Sequence, residues 1–220
     1  LHYTHTRIAY FPNGTEQRCC ECCEDLPYVI SRVDNETRNF PADGIFTDNV
    51  VANDAWLPYY KAIVKKARRE DPTRKHAFNQ NCAHDSSERC SPFCEQYGHD
   101  AEACKNCKSD RCTHMSHEWL GLADVHLLSE ATVGAHDLFP DFKMNLPFEP
   151  TDADKSQFSM FTYNATPTSW RPLIDAARAQ GFSKFWVDGR GGDNRTSFLA
   201  LPPWFEEMVE YIRGFNNEQE

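Results

Sequence analysis

Asp43-Gly44-Ile45-Phe46-Thr47-Asp48-Asn49 is the stretch on which the reading of this chain depends. A glycine turn leads into a short apolar run, and the run ends in an acid and an amide. A buried parallel strand that delivers polar groups to its C-terminal end has this form. Such a strand end is rigid and borders solvent, which suits a carboxylate that moves protons. The plain alternative is that Asp48 and Asn49 only turn the chain towards the next helix.

The same pattern recurs on either side. Leu1 to Tyr10 alternates weakly, as a strand does. Leu26 to Val33 has the apolar spacing of a short helix, and Trp56 to Arg69 that of a longer one, with Tyr60, Ile63, Val64 and Ala67 on one stripe. His76 to Phe78 reads as a strand running into Asn79. Ala123 to Leu128 reads as a strand ending at Ser129 and Glu130, and Gln157 to Tyr163 as another, with Asn164 beyond it. A helix over Trp170 to Gln180 closes on Gly181. Phe182 to Val187 is then a strand ending at Asp188, and Pro202 to Phe215 the last helix. Six strands alternating with helices, with polar residues just after the strands, predict a parallel α/β fold whose ligands gather at strand C-termini. A (β/α)8 barrel of the TIM type needs two more strands, and for such a barrel the missing pair is expected before Leu1.

A hydrophobic fraction of 40% with 13% aromatics indicates a globular chain, and 220 residues suit a single domain over residues 1–220. The net charge of −10 repels phosphate backbones, which argues against nucleic acid, and no apolar run is long enough to span a membrane. No cofactor or metal is expected.

Ten cysteines and four Asn-x-Ser/Thr sequons, at Asn13, Asn35, Asn164 and Asn194, together indicate a secreted, disulfide-bonded glycoprotein. Cys19, Cys20, Cys22 and Cys23 crowd one loop. Cys82, Cys90, Cys94, Cys104, Cys107 and Cys112 fall in a polar stretch, residues 82–113, that has no hydrophobic period and reads as a cysteine-stapled insertion. Cys104-x-x-Cys107 with Cys112, His114 and His117 has a zinc-like spacing, but the CxxC occurs once, so disulfides are the stronger reading. Both cysteine groups follow strands and are expected to staple the rim of one cleft.

Asp48, Glu130 and Asp188 end three different strands. Parallel strands would aim all three into that cleft, where two carboxylates can divide the work of acid and nucleophile or base. The plain alternative is helix capping, or pairing with Arg190 or Lys184. Tyr3, His5, Tyr163, Trp186 and Trp204 stand near strand ends and could stack on sugars, although core packing is the commoner role for such residues.

Tyr3-Thr4-His5-Thr6, the stretch from Asp43 to Asn49, Asn79, Ala123-Asp124 leading to Ser129-Glu130, Gly181 to Asp188, and Leu201-Pro202 with Trp204 occur in one order along the chain. In that order they resemble the spherulin-4-like proteins, which are related to endo-α-1,4-galactosaminidases. The resemblance implies a (β/α)8-type barrel lacking its first two strands here. It also implies secretion and hydrolysis of a polysaccharide partner, a cationic or N-acetylated galactosamine polymer. By position it makes Asp48 and Glu130 the catalytic pair, with Tyr3, His5, Asn49, Asn79, Tyr163 and Asp188 holding substrate. Asn49 replaces the family's second carboxylate, and an amide can neither donate a proton as an acid nor take one as a base. The alternative is therefore a secreted carbohydrate-binding or structural protein with impaired catalysis.

Overall fold

The computed structural model describes residues 2–5, 26–39, 42–48, 50, 52, 54–69, 71–80, 112, 115–132, 146–189 and 201–217. Among them, six strands form one sheet: β1 (His2–His5), β2 (Gly44–Asp48), β3 (Lys75–Asn79), β4 (Val125–Thr132), β5 (Phe158–Tyr163) and β6 (Lys184–Val187). Their spatial order is their sequence order, and every neighbouring pair is parallel. This order never reverses, so the sheet has no switch point of the doubly wound kind. Among the described residues no ladder joins β6 to β1.

Among the described residues the α-helices are α1 (Leu26–Asn39), α2 (Leu57–Arg68), the single turn α3 (Asp152–Lys155), α4 (Trp170–Ala179) and α5 (Phe205–Asn217). Right-handed crossovers between sequential neighbours place successive helices on the same side of the sheet. The core agrees: Ile45, Phe78, Leu128, Phe158, Met160 and Val187 from the strands pack with Val29, Tyr60, Trp170 and Met208 from the helices in one cluster.

Several boundaries differ from those read in the sequence. α1 continues past Val33 to Asn39. Asp54–Trp56 forms a 3-10 turn, and the α-helix begins only at Leu57. Pro58 explains this, because a ring without an N–H fits the first helical turn. α5 likewise starts at Phe205, after a turn in which the Phe205 N–H donates to the carbonyl of Pro202. Gly181 closes α4 as expected. At a φ of 92°, it donates to the Arg178 carbonyl while Phe182 reaches back to Ala177, the paired bonds of a Schellman cap.

The largest difference lies in β4. It starts at Val125 and runs through Glu130 to Thr132, so Glu130 is inside the strand. Leu127 pairs with Ser159 and Ser129 with Met160, so Leu128 is an extra residue, a β-bulge. Residues 82–111 and 113, nearly all of the expected insertion, lie outside the described residues, as do Arg190, Gly191 and Gly192.

Candidate active site

Alternation along a strand assigns each side chain a face, and paired residues of parallel neighbours share one. Thr47 pairs with Phe78 on the helix side, which puts Asp48 and Asn79 together on the other face. Asn79 pairs with Leu127 and lies on its face. With strict alternation from Leu127, Ser129 would join that face and Glu130 would point at the helices. The extra residue Leu128 reverses the parity. Glu130 then pairs with Phe161 and faces the same way as Asp48, Asn79 and Tyr163.

The side chains meet as this register requires. The Asn79 amide nitrogen donates to Asp48 Oδ1 at 2.7 Å and to Glu130 Oε2 at 2.5 Å. The amide orientation follows from the chemistry, because only nitrogen can donate to two carboxylates. The Tyr163 hydroxyl donates to the other oxygen of Glu130, Oε1, at 2.5 Å. Both Glu130 oxygens therefore accept a hydrogen bond from a strand residue.

Asp188, fully buried, stands beside Tyr163 across the β5–β6 pair. Its backbone is held on both sides: its N–H donates to the Thr162 carbonyl at 2.8 Å, and its carbonyl accepts from Ala165 N–H at 2.9 Å. The ring of Trp204 closes over the next residue, where a Cβ on Gly189 would lie 2.3 Å from Trp204 Cη2. Burial, then the charge of Glu130 and the hydrogen bond to it, then the charges of Asp48 and Asp188, push the Tyr163 phenol above the ordinary tyrosine range. Tyr163 is thus kept as a hydrogen-bond donor with three acids around it.

This fold is similar to that of Sph3 from Aspergillus clavatus. The crystal structure of Sph3 in complex with GalNAc superposes with a TM-score of 0.51 at 16% identity, covering 86% of this chain and 67% of that one. At that identity the similarity concerns the fold alone. No family model matches the chain, and no curated protein does.

Tyr3 and His5 occupy the β1 positions paired with Phe46 and Asp48. Asn49 lies outside the described residues. Lys184 is far from the acids: it begins β6, at the opposite end of the sheet, and donates to the Ser156 carbonyl. Trp204 belongs to the core cluster, and Trp186 packs towards Phe205 with ring centroids 6.0 Å apart.

Of the cysteines, Cys112 is buried and disulfide-bonded, and the other nine lie outside the described residues. Asn35 is exposed on α1, and Asn164 is exposed with a φ of 60° just past Tyr163. Asn13 and Asn194 lie outside the described residues. Among the described residues no three His, Cys, Asp or Glu side chains group as a metal site would group them.

Two supports were not anticipated from sequence. Asp54 Oδ1 accepts from Ser116 N–H at 2.8 Å and from Trp119 Nε1 at 3.0 Å, tying the loop after β2 to the segment before β4. Gln80, fully buried, follows Asn79 and reaches His126, with 2.9 Å between Gln80 Oε1 and His126 Nδ1. A polar residue after a strand was the available signal at Gln80, but its partner could not be named without the register.

Proposed function

We propose that this chain is a glycosidase that hydrolyses O-glycosyl bonds in an amino-sugar polysaccharide, with Asp48 and Glu130 as the working carboxylates. The observation that carries the reading is the shared amide. One nitrogen touches both acids, so the bonded oxygens stand no more than about 5 Å apart, which is close to the spacing of retaining glycosidases and short of the 6.5–9.5 Å of inverting ones. At that separation no water fits between sugar and acid, so one carboxylate attacks the anomeric carbon and the other protonates the leaving oxygen. The same second group then takes a proton from the water that releases the sugar. Asn79 and Tyr163 hold the pair in place before substrate arrives, which is the condition for positional catalysis.

The amino-sugar class rests on the resemblance to the spherulin-4-like proteins and on the likeness to Sph3, which was crystallised with GalNAc. The acidic balance of the chain suits a cationic polymer. The disulfide at Cys112 supports a secreted protein, and the four sequons a glycosylated one. The sequential sheet order supports a barrel wall, in which two further strands would sit between β6 and β1. On this reading residues 82–113 form a disulfide-stapled insertion within one domain.

Asn49 favours the second reading, a sugar-binding protein without turnover. One assay separates the two. Oligosaccharide release from partly deacetylated galactosamine polymer is expected from the native chain and is expected to fall by about a thousandfold or more in Asp48→Asn and Glu130→Gln, since each removes a group acting in the transition state. Binding without release in the native protein would leave the second reading standing, and equal release by all three proteins would remove the carboxylate assignment.

A further inference from the structure

Glu130 reaches the cluster only because of the bulge at Leu128, and the opposite face of the sheet shows what secures that bulge. Asn79 and Gln80 are consecutive and point to opposite faces. Asn79 bridges the two acids, while Gln80 lies fully buried on the helix side. Gln80 is tied at three points. Its N–H donates to the carbonyl of Leu127, the residue before the extra one, at 3.0 Å. Its Oε1 lies 2.9 Å from His126 Nδ1, and its Nε2 stands 3.9 Å from Met115 Sδ.

The Gln80 amide faces His126 Nδ1 and the Leu120 carbonyl faces Nε2, so both ring nitrogens are engaged. His126 immediately precedes Leu127. It is fully buried, its ring is packed edge-on to Phe78, and its Nε2 lies 3.4 Å from the Leu120 carbonyl. Its own N–H donates to the Gln157 carbonyl at 2.9 Å, so β4 is held to β5 just before the register shifts. The Asn79 carbonyl in turn accepts from Val50 N–H at 2.8 Å, two residues beyond Asp48.

We propose that Gln80 and His126 are positioning residues: their hydrogen bond fixes the bulge in β4 and so keeps Glu130 on the face of Asp48. Neither residue touches the acids. They act through the backbone of Leu127 and Leu128, which sets the parity of every later residue in the strand. The proposal rests on the reading that Asp48 and Glu130 work as a pair, but its test needs no substrate.

The readout is the Tyr163 ring resonance in protein carrying 13Cζ-labelled tyrosine, assigned by its disappearance in Tyr163→Phe and followed as the pH is raised. Three variants are compared with the native chain. Gln80→Glu keeps a hydrogen-bond partner for His126 and is expected to leave the Tyr163 titration near native. Gln80→Met keeps length without a hydrogen-bonding group. The double variant Gln80→Met/His126→Phe removes both partners, so that no buried polar group is orphaned. In both of the latter, Glu130 is expected to leave Tyr163, and the ring is expected to titrate lower by about one pH unit or more. Where turnover is measurable, kcat is expected to fall at least about tenfold with KM within about twofold. A folded double variant whose Tyr163 titrates as in the native chain would overturn the proposal. Failure of both Met variants to fold would overturn it too, because the pair would then support the whole fold and not one side chain. Absence of hydrolysis by the native protein bears on the glycosidase reading and leaves the resonance test intact.

Discussion

Replacing Gly189 by alanine is a one-atom perturbation whose cost can be worked from the geometry. The added Cβ would lie 2.3 Å from Trp204 Cη2, 2.9 Å from Cζ2 and 3.3 Å from the Ala165 carbonyl oxygen. Carbon atoms in contact sit about 3.5–4.0 Å apart, so the indole or the backbone must give by about 1 Å or more. Neither moves easily. Trp204 is buried in the core cluster, and Asp188, one residue back, is bonded through its backbone to Thr162 and Ala165. Overpacking of this kind costs about 1–3 kcal/mol.

For a chain of this size each kcal/mol lowers Tm by about 2–4 °C, so Gly189→Ala is expected to melt about 2–12 °C below the native protein. Circular dichroism melting measures this, with Gly214→Ala as control. A Cβ at Gly214 meets nothing within 4 Å, and the residue lies inside α5, where alanine is the better helix former. The control is therefore expected to melt at or above the native temperature. A Gly189→Ala protein with an unchanged Tm would refute the claim that Trp204 is clamped over the residue following Asp188.

Two further outcomes follow from the same structure. Tyr163→Phe removes the hydroxyl donor on Glu130 Oε1, a hydrogen bond to a carboxylate worth about 1.5–3 kcal/mol, so kcat/KM is expected to fall about ten- to a hundredfold while the fold is kept; activity within about twofold of native would exclude this role for the hydroxyl. His126 and His76 are both buried, and burial pushes their pKa values down to about 4 and about 3 from 6.5. Below pH 6.5 the unfolded chain takes up protons that the folded chain refuses, so this stability is complete above pH 6.5 and drains away as pH falls towards 4. The two together are expected to remove roughly 3–4 kcal/mol between pH 7 and pH 5 in urea unfolding, with His126→Gln losing about half of that slope. A slope unchanged in His126→Gln would show that His126 titrates normally in the fold.

How much of this could be read from the sequence is best seen by comparing Asp48 with Glu130. Asp48 follows a glycine turn and an unbroken apolar run, so period, strand and end residue agree, and the strand observed is Gly44–Asp48. The face of Glu130 could not be read. Its direction depends on an extra residue in β4, and a bulge leaves no mark in hydrophobic periodicity because Leu128 remains an apolar residue buried in the core.

Asn79 was visible as a polar residue after a strand, but its two-acid bridge needs three strands in register, which no local pattern encodes. Helix limits followed proline and glycine chemistry where it was clear, as at Pro58 and Gly181. They missed the end of α1, where Asp34, Asn35, Thr37 and Asn39 are poor helix formers and distant partners, Lys66 on Asp34 and Thr4 on Glu36, hold the last turns. Asp54, Gln80 and His126 work through contacts more than 40 residues away, beyond the reach of any sequence window.

The stereochemistry of hydrolysis reports the spacing of Asp48 and Glu130. Proton NMR of the first product formed from a galactosamine oligomer, recorded before mutarotation, reports which anomer the protein releases. An acid pair joined by one amide predicts the anomer of the bond that was cleaved, that is, net retention. Initial release of the opposite anomer would mean that a water attacks directly between more distant groups, and would contradict the pairing of Asp48 with Glu130 across Asn79.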